Sequence, residues 1–283
     1  MALKEDKNKI EHGLYVVATP IGNLKDITLR ALDVLSQSNV ILCEDTRVSK
    51  KLLSHYKINK KLFSYHKFNE KKNLEKIVGI LKENKIITLI SDAGTPSLSD
   101  PGRILIRRCI EENILVTPIP GASAITTSLS ISGFSDQFYF HGFLSETDNS
   151  IKKEFDVLSN LKCSIIFFIS SKKLIKKFEL FIKYFSNRDI LICRELTKIH
   201  ETFYRGRVSE IHKFNFNPKG EVTVVISEIK NKQKEDLDES DKKKIKKILK
   251  FKSVKDIVRI FSQEKNISKS KIYNYCLQIK NEN

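Results

Sequence analysis

Residues 91–102 read SDAGTPSLSDPG and set two carboxylates, Asp92 and Asp100, among hydroxyls and glycines. Ionised carboxylates accept hydrogen bonds and attract cations, and Gly94 lets the backbone come close to a ligand. No Lys or Arg interrupts the stretch, although the whole chain has a formal net charge of +17. Such a loop suits a polar, partly cationic small molecule, with Asp92 or Asp100 accepting from an ammonium group or from ribose hydroxyls. Without a ligand, the same residues read as a surface turn between a strand and a helix. Two further loops are built alike, at residues 19–24 (TPIGNL) and 118–124 (PIPGASA). Both combine backbone donors with small side chains and carry no phosphate-binding lysine.

These loops need strands to hold them. Apolar runs at 14–18, 40–43, 86–90 and 115–117 each end in a loop of Gly, Pro, Ser, Thr or acid. Helical spacing follows Asp26, a candidate cap, and recurs over 70–82 and 103–112. Alternating strands and helices predict a mostly parallel α/β sheet, which places ligands at the carboxyl ends of its strands. A strand at 139–144 and a polar stretch at 145–153 mark a boundary. Beyond it, strands at 164–169, 189–193 and 222–226, a segment at 202–204 and a helix over 172–185 predict a second α/β unit. Residues 231–241 are charged and nearly free of apolar residues, as a linker is. Helical spacing then returns, with Ser253 and Ser268 in capping positions and a short 266–268 turn, the pattern of a helix-turn-helix. Lys269 and Lys271 on its second helix are candidate RNA contacts; otherwise they are solvated lysines on a three-helix appendage. The expected division is 13–145, 146–230 and 242–283.

Composition narrows the function. The positive charge points to a polyanionic partner, although Lys is abundant along the whole chain. The five cysteines are widely spaced without CxxC, and the six histidines show no ligand spacing, so neither a disulfide frame nor a metal site is expected. A charged amino terminus and the lack of a long apolar run predict a cytoplasmic protein with no membrane span. GxxxxGK, GxGxxG, GxSxG and HExxH are all missing, which removes P-loop, dinucleotide-fold and common hydrolase readings.

Six segments occur in order: VATPIGNLKDITLRAL (17–32), EDTR (44–47), LISDAGTPSLSDPG (89–102), PIPGASA (118–124), RELTK (194–198) and KGE (219–221). Together they closely resemble the ribosomal RNA small subunit methyltransferase I family of the tetrapyrrole methylase superfamily. The likeness covers most of residues 14–228, and the tail resembles that family's helix-turn-helix extension. The resemblance implies a two-domain tetrapyrrole-methylase-like α/β fold with a cofactor cleft between the domains, and a homodimer. It implies S-adenosylmethionine-dependent methylation of the ribose 2′-hydroxyl of a cytidine in 16S rRNA of the small ribosomal subunit, near the decoding centre. The implied cofactor positions are Pro20 and Gly22, then Asp92, Gly94, Thr95, Ser99 and Asp100, then Gly121, Ala122 and Ser123. Three departures stand out. Ala122 replaces a common proline, residues 167–173 lack the family's Tyr-Glu-Ser-Pro-His-Arg run, and Lys67 and Phe68 replace the usual Glu and His.

Methyl transfer to a hydroxyl needs alignment of oxygen, methyl and sulfur, and a base for the hydroxyl proton. Candidate bases are Glu44, Asp45, His66, Glu195 and Lys198, while Arg47 and Arg194 can hold phosphates bidentately. Each also has a purely structural reading. Glu44, Asp45 and Arg47 can form a helix cap and ion pair, and Glu195 with Lys198 a domain-bridging salt bridge. Two other functions compete: carbon methylation of a small tetrapyrrole, and non-catalytic RNA binding in ribosome assembly. The EDTR and RELTK motifs and the basic tail favour RNA.

Overall fold

The computed structural model describes residues 10–229, 237–265 and 267–281. The chain divides into two compact units at Glu228/Ile229. Most of the 231–241 linker stretch lies outside the described residues, as does Asn266 of the 266–268 turn.

The first unit opens with β1 (Gly13–Val17), α1 (Leu29–Gln37), β2 (Val40–Cys43), α2 (Thr46–His55), β3 (Lys61–Ser64), α3 (Glu70–Lys82), β4 (Ile86–Leu89), α4 (Arg103–Glu111), β5 (Val116–Ile119) and α5 (Ala124–Ser130). The five strands form one sheet in the order β3-β2-β4-β1-β5, and every pairing is parallel. All carboxyl ends therefore lie along one edge. Strand side chains alternate between two cores. Leu14, Leu42, Ile87 and Leu89 pack with Ile77, Leu81 and Leu105 of α3 and α4. Tyr15, Val17 and Ile41 pack with Val34, Leu35 and Leu53 of α1 and α2. Burial on both faces is why these strands read as continuous apolar runs. Pro118 lies within β5, an edge strand that pairs only with β1, so its missing N–H costs no ladder bond.

The unit continues with β6 (Phe138–Phe143), α6 (Asp148–Leu158), β7 (Ser164–Ser170), α7 (Ser171–Lys176), α8 (Phe178–Phe185), β8 (Asp189–Arg194), β9 (Thr202–Arg207) and β10 (Glu221–Ile226). These strands form a second sheet, β6-β7-β10-β8-β9, in which β6 and β7 are parallel and the other pairs antiparallel. One face carries a core of interlocked aromatics, with Phe155 edge-on to Phe181 at 5.0 Å and to Phe185 at 4.9 Å. The other face packs Ile166, Leu191, Cys193 and Val225 against Ile125 of α5. That face joins the two sheets.

Several local expectations change. Thr28, not Asp26, caps α1: its hydroxyl accepts from the Ala31 N–H at 3.1 Å, while Asp26 sits in the preceding 3₁₀ turn. The helix expected over 172–185 breaks at Lys177, whose backbone leaves the helical region and whose ammonium pairs with Asp148. The polar 145–153 stretch is largely α6, because Ile151, Phe155 and Leu158 recur at helical spacing and are buried. β6, before the boundary set at 145/146, pairs within the second sheet.

The second unit has its own core. In α9 (Glu239–Ile248), α10 (Val254–Lys265) and α11 (Lys269–Asn281), Ile245, Ile257, Phe261, Ile272 and Cys276 are buried together. Ser253 and Ser268 accept from the N–H groups of Asp256 and Lys271, as caps do. Among the described residues, no helix is long and apolar enough to cross a membrane.

Candidate active site

Three loops at the carboxyl edge of the first sheet are tied together by their own backbone. Thr19 and Gly94 exchange N–H···O bonds of 2.9 and 3.0 Å, and the Thr19 hydroxyl donates to the Ser91 carbonyl at 3.1 Å. The Thr95 hydroxyl reaches the Ala122 carbonyl at 3.4 Å. Gly94 has φ +78°, a conformation that costs glycine little, while Ser97 and Ser99 adopt φ +66° and +70° despite their side chains. Backbone held this way by its surroundings is common at ligand sites.

The loops open onto a cavity of about 340 Å³. Glu44, Asp92, Gly94, Thr95, Ser99, Asp100 and Ser123 line one side, with Ile21 and Leu98. The inner face of the second sheet lines the other, through Phe143, Phe168, Cys193, Leu196, Thr223 and Lys198. Sequence reasoning missed this apolar wall. Its one signal was that the central strands β7, β8 and β10 are continuous apolar runs, buried on both faces.

Four carboxylates line the cavity: Glu44, Asp92 and Asp100 on one side, and Glu221, paired with Lys198, on the other. Burial raises the pKa of Glu44, and the nearby Asp100 and Asp92 charges raise it further. Burial likewise raises Asp92 and Asp100. The Asp45 N–H donates to Asp92 Oδ1 at 3.1 Å and fixes that carboxylate in place. Crowded acids in a half-apolar cavity are stabilised by a cationic ligand.

The flanking candidates have other partners. Asp45 caps α2, accepting from the Arg47 N–H at 2.8 Å, and pairs with the Arg47 guanidinium at 2.7 Å; these bonds lower its pKa to about 2. The Arg47 side chain remains 87% exposed. The His66 ring is bonded within its own turn, to the Phe68 N–H and to Asn69. Lys198 bridges Glu195 at 3.1 Å and Glu221 at 2.8 Å, and Glu195 Oε1 also accepts from the Glu221 N–H at 2.8 Å. All three belong to the second sheet and its loops, so this is not a bridge between domains. Burial alone would lower the Lys198 pKa, but the bonds to Glu221 and Glu195 outweigh it and raise it. Arg194 is 7% exposed and donates to the carbonyls of Lys219 at 2.6 Å and His200 at 3.0 Å. Its guanidinium therefore supports the loop and is not offered to RNA at the surface.

Gly22 explains the link between the first loop and the RELTK loop. A Cβ there would lie 2.7 Å from the Leu196 carbonyl and 2.5 Å from Lys198 Cγ, so only glycine fits. Gly121 lies less tightly against Ala18, whose Cβ would be 3.0 Å from an added Cβ. Pro20, Ala122 and Gly121 shape loops beside the cavity rather than lining it. In the second unit, Lys269 and Lys271 are exposed on the first turn of α11.

Residues 13–212 match the family model described as Tetrapyrrole (Corrin/Porphyrin) Methylases. A protein of Rickettsia prowazekii (strain Madrid E) named "Ribosomal RNA small subunit methyltransferase I" is 42% identical over 79% of this chain and 82% of its own. The chain belongs to the ribosomal RNA small subunit methyltransferase I family, within the tetrapyrrole methylases. A family member from Buchnera aphidicola subsp. Acyrthosiphon pisum (strain APS) is 38% identical over 94% of this chain and 96% of its own, so that likeness includes the helical second unit. Among solved structures, a cobalt precorrin-4 methyltransferase of cobalamin biosynthesis superposes with a TM-score of 0.54 at 18% identity. That match covers 76% of this chain and 94% of the other, and it shows that this family member shares the tetrapyrrole methylase fold.

Proposed function

We propose that the protein is an S-adenosylmethionine-dependent methyltransferase that methylates the ribose 2′-hydroxyl of a cytidine in 16S rRNA near the decoding centre. The observation that carries this reading is the cavity in which Glu44, Asp92 and Asp100 face an apolar wall, within a chain related over most of its length to rRNA methyltransferases. S-adenosylmethionine, when bound, supplies a methyl group on a cationic sulfur. The cavity suits it: carboxylates favour the positive charge, and Ile21, Ile125 and Leu196 exclude water. A tetrapyrrole would also bring negative charge to this basic chain, but the rRNA-methylating relatives favour RNA.

Glu44 is the general base in this reading. It lies in the cavity, and its raised pKa brings it closer to neutrality, where a base works best. Asp45 is committed to Arg47, and Glu195 to Lys198 and the Glu221 amide. Arg47, exposed beside Asp45, can take a phosphate. The two sheets act as two domains about the cavity, with the strand at 138–143 belonging to the second, and 242–283 acts as an RNA-binding extension through Lys269 and Lys271. The working protein is a cytoplasmic homodimer.

The test incubates the protein with S-adenosylmethionine and small subunits from cells lacking the modification, then maps ribose methylation by mass spectrometry. One new 2′-O-methyl mark on a cytidine is expected. Glu44→Gln should lower kcat about 10²- to 10⁴-fold, a far larger effect than on cofactor affinity. Cofactor binding with no mark on RNA would overturn the reading.

A further inference from the structure

β9 is an edge strand whose two faces do different work. Tyr204 turns toward the aromatic core and stacks on Phe214, with ring centroids 5.8 Å apart. Its neighbours Phe203 and Arg205 point to the opposite face. Across the ladder, Phe203 stands beside Cys193 and Arg205 beside Leu191. Cys193 lines the cavity, and both belong to the face that packs on α5. Phe203 and Arg205 therefore continue the cavity wall outward to the sheet's open edge.

A phenylalanine on that edge has little core to serve; it is 37% exposed. The Arg205 guanidinium lies 5.4 Å from its ring centroid and donates to the Ile131 carbonyl at the end of α5, at 3.2 Å. One bond to that carbonyl uses one of the guanidinium's five N–H donors. Arg207 follows on the same side, exposed, about 7 Å farther along the strand. An aromatic plane with two guanidiniums in a row matches a nucleic-acid strand, whose bases stack and whose phosphates take paired N–H bonds. The chain's charge of +17 fits the same partner.

We infer that Phe203, Arg205 and Arg207 form a docking subsite for RNA flanking the target nucleotide, with a base stacked on Phe203 and phosphates on the two arginines. The inference rests on the rRNA-methylating function proposed above. It assigns these residues a positioning role outside the cavity.

The test measures KM for methyl-free small subunits, cofactor affinity and melting temperature for wild type, Phe203→Ala, Phe203→Trp, Arg205→Ala and Arg207→Ala. Phe203→Ala should raise KM about five- to a hundredfold, and Phe203→Trp should restore it, because stacking needs only an aromatic plane. Each arginine variant should raise KM and reduce the salt slope of RNA binding by about one. Cofactor affinity and melting temperature should stay unchanged. Unchanged KM in Phe203→Ala and Arg205→Ala would overturn the subsite. So would failure of Phe203→Trp to rescue, or conversion of a dimer to monomers, which would make the edge a subunit contact. A wild-type protein that methylates no RNA would instead remove the underlying function, and the subsite with it.

Discussion

Asp100 and Asp92 are ionisable groups held where ionisation is costly. Burial raises both pKa values, so the charged forms work against the empty fold. For such an acid the penalty is absent below its unfolded-state pKa and is fully present once pH has risen through the higher folded-state value. At neutral pH, Asp100→Asn should therefore raise the melting temperature of the ligand-free protein by about 2–4 °C. That gain should vanish on acidification through the raised carboxylate range. The same substitution should weaken S-adenosylmethionine binding at least tenfold, by calorimetry, since it removes the charge that meets the cation. Wild-type affinity should likewise decline as pH falls and the carboxylates protonate. A variant that neither gained stability nor lost affinity would detach Asp100 from the cofactor.

At the scale of elements, the cavity exists because two loops from different sheets touch. The 19–24 loop ends β1 and the RELTK loop ends β8, and Gly22 lets them meet. Gly22→Ala must displace the Leu196 carbonyl, which is backbone and cannot rotate away. We expect a loss of about 1–3 kcal/mol in urea unfolding, together with weaker cofactor binding. Gly79→Ala is the control: a Cβ there meets nothing within 4 Å, in a helix that gains from alanine. Equal behaviour of the two variants would mean that the loops do not need this close approach.

The whole molecule divides its tasks between units with separate cores. The α9–α11 core is built entirely from residues beyond Glu228, and the cavity is lined entirely by residues before it. A chain ending at residue 229 should therefore keep cofactor affinity within about twofold. If the helical unit reads phosphates, that shortened chain should bind RNA more weakly and with a shallower salt dependence, because fewer counterions are released. Equal salt slopes for the full and shortened chains would assign all the RNA contact to the first unit.

How much of this was legible from residues alone follows from the range of the interactions involved. The strands of the first sheet could be read because burial on both faces makes each one an apolar run, and parallel connections put a loop at each carboxyl end. Asp92, Gly94 and Asp100 could be singled out because loop chemistry is local, and Glu44 because it follows directly on a strand, whereas Thr95, Ser99 and Ser123 came only through the family resemblance. The caps of α10 and α11 were likewise local. What needed the tertiary structure was whatever depends on partners distant in sequence. Arg194 looks like a phosphate ligand until the carbonyls of Lys219 and His200 close on it. Glu195 and Lys198 look like a free acid and base until Glu221 arrives from β10. The apolar wall of the cavity could not be foreseen, because a continuous apolar strand states that both faces are buried but not what each is buried against. Ordinary side-chain packing decided that, by setting α5 and the 19–24 loop against the second sheet.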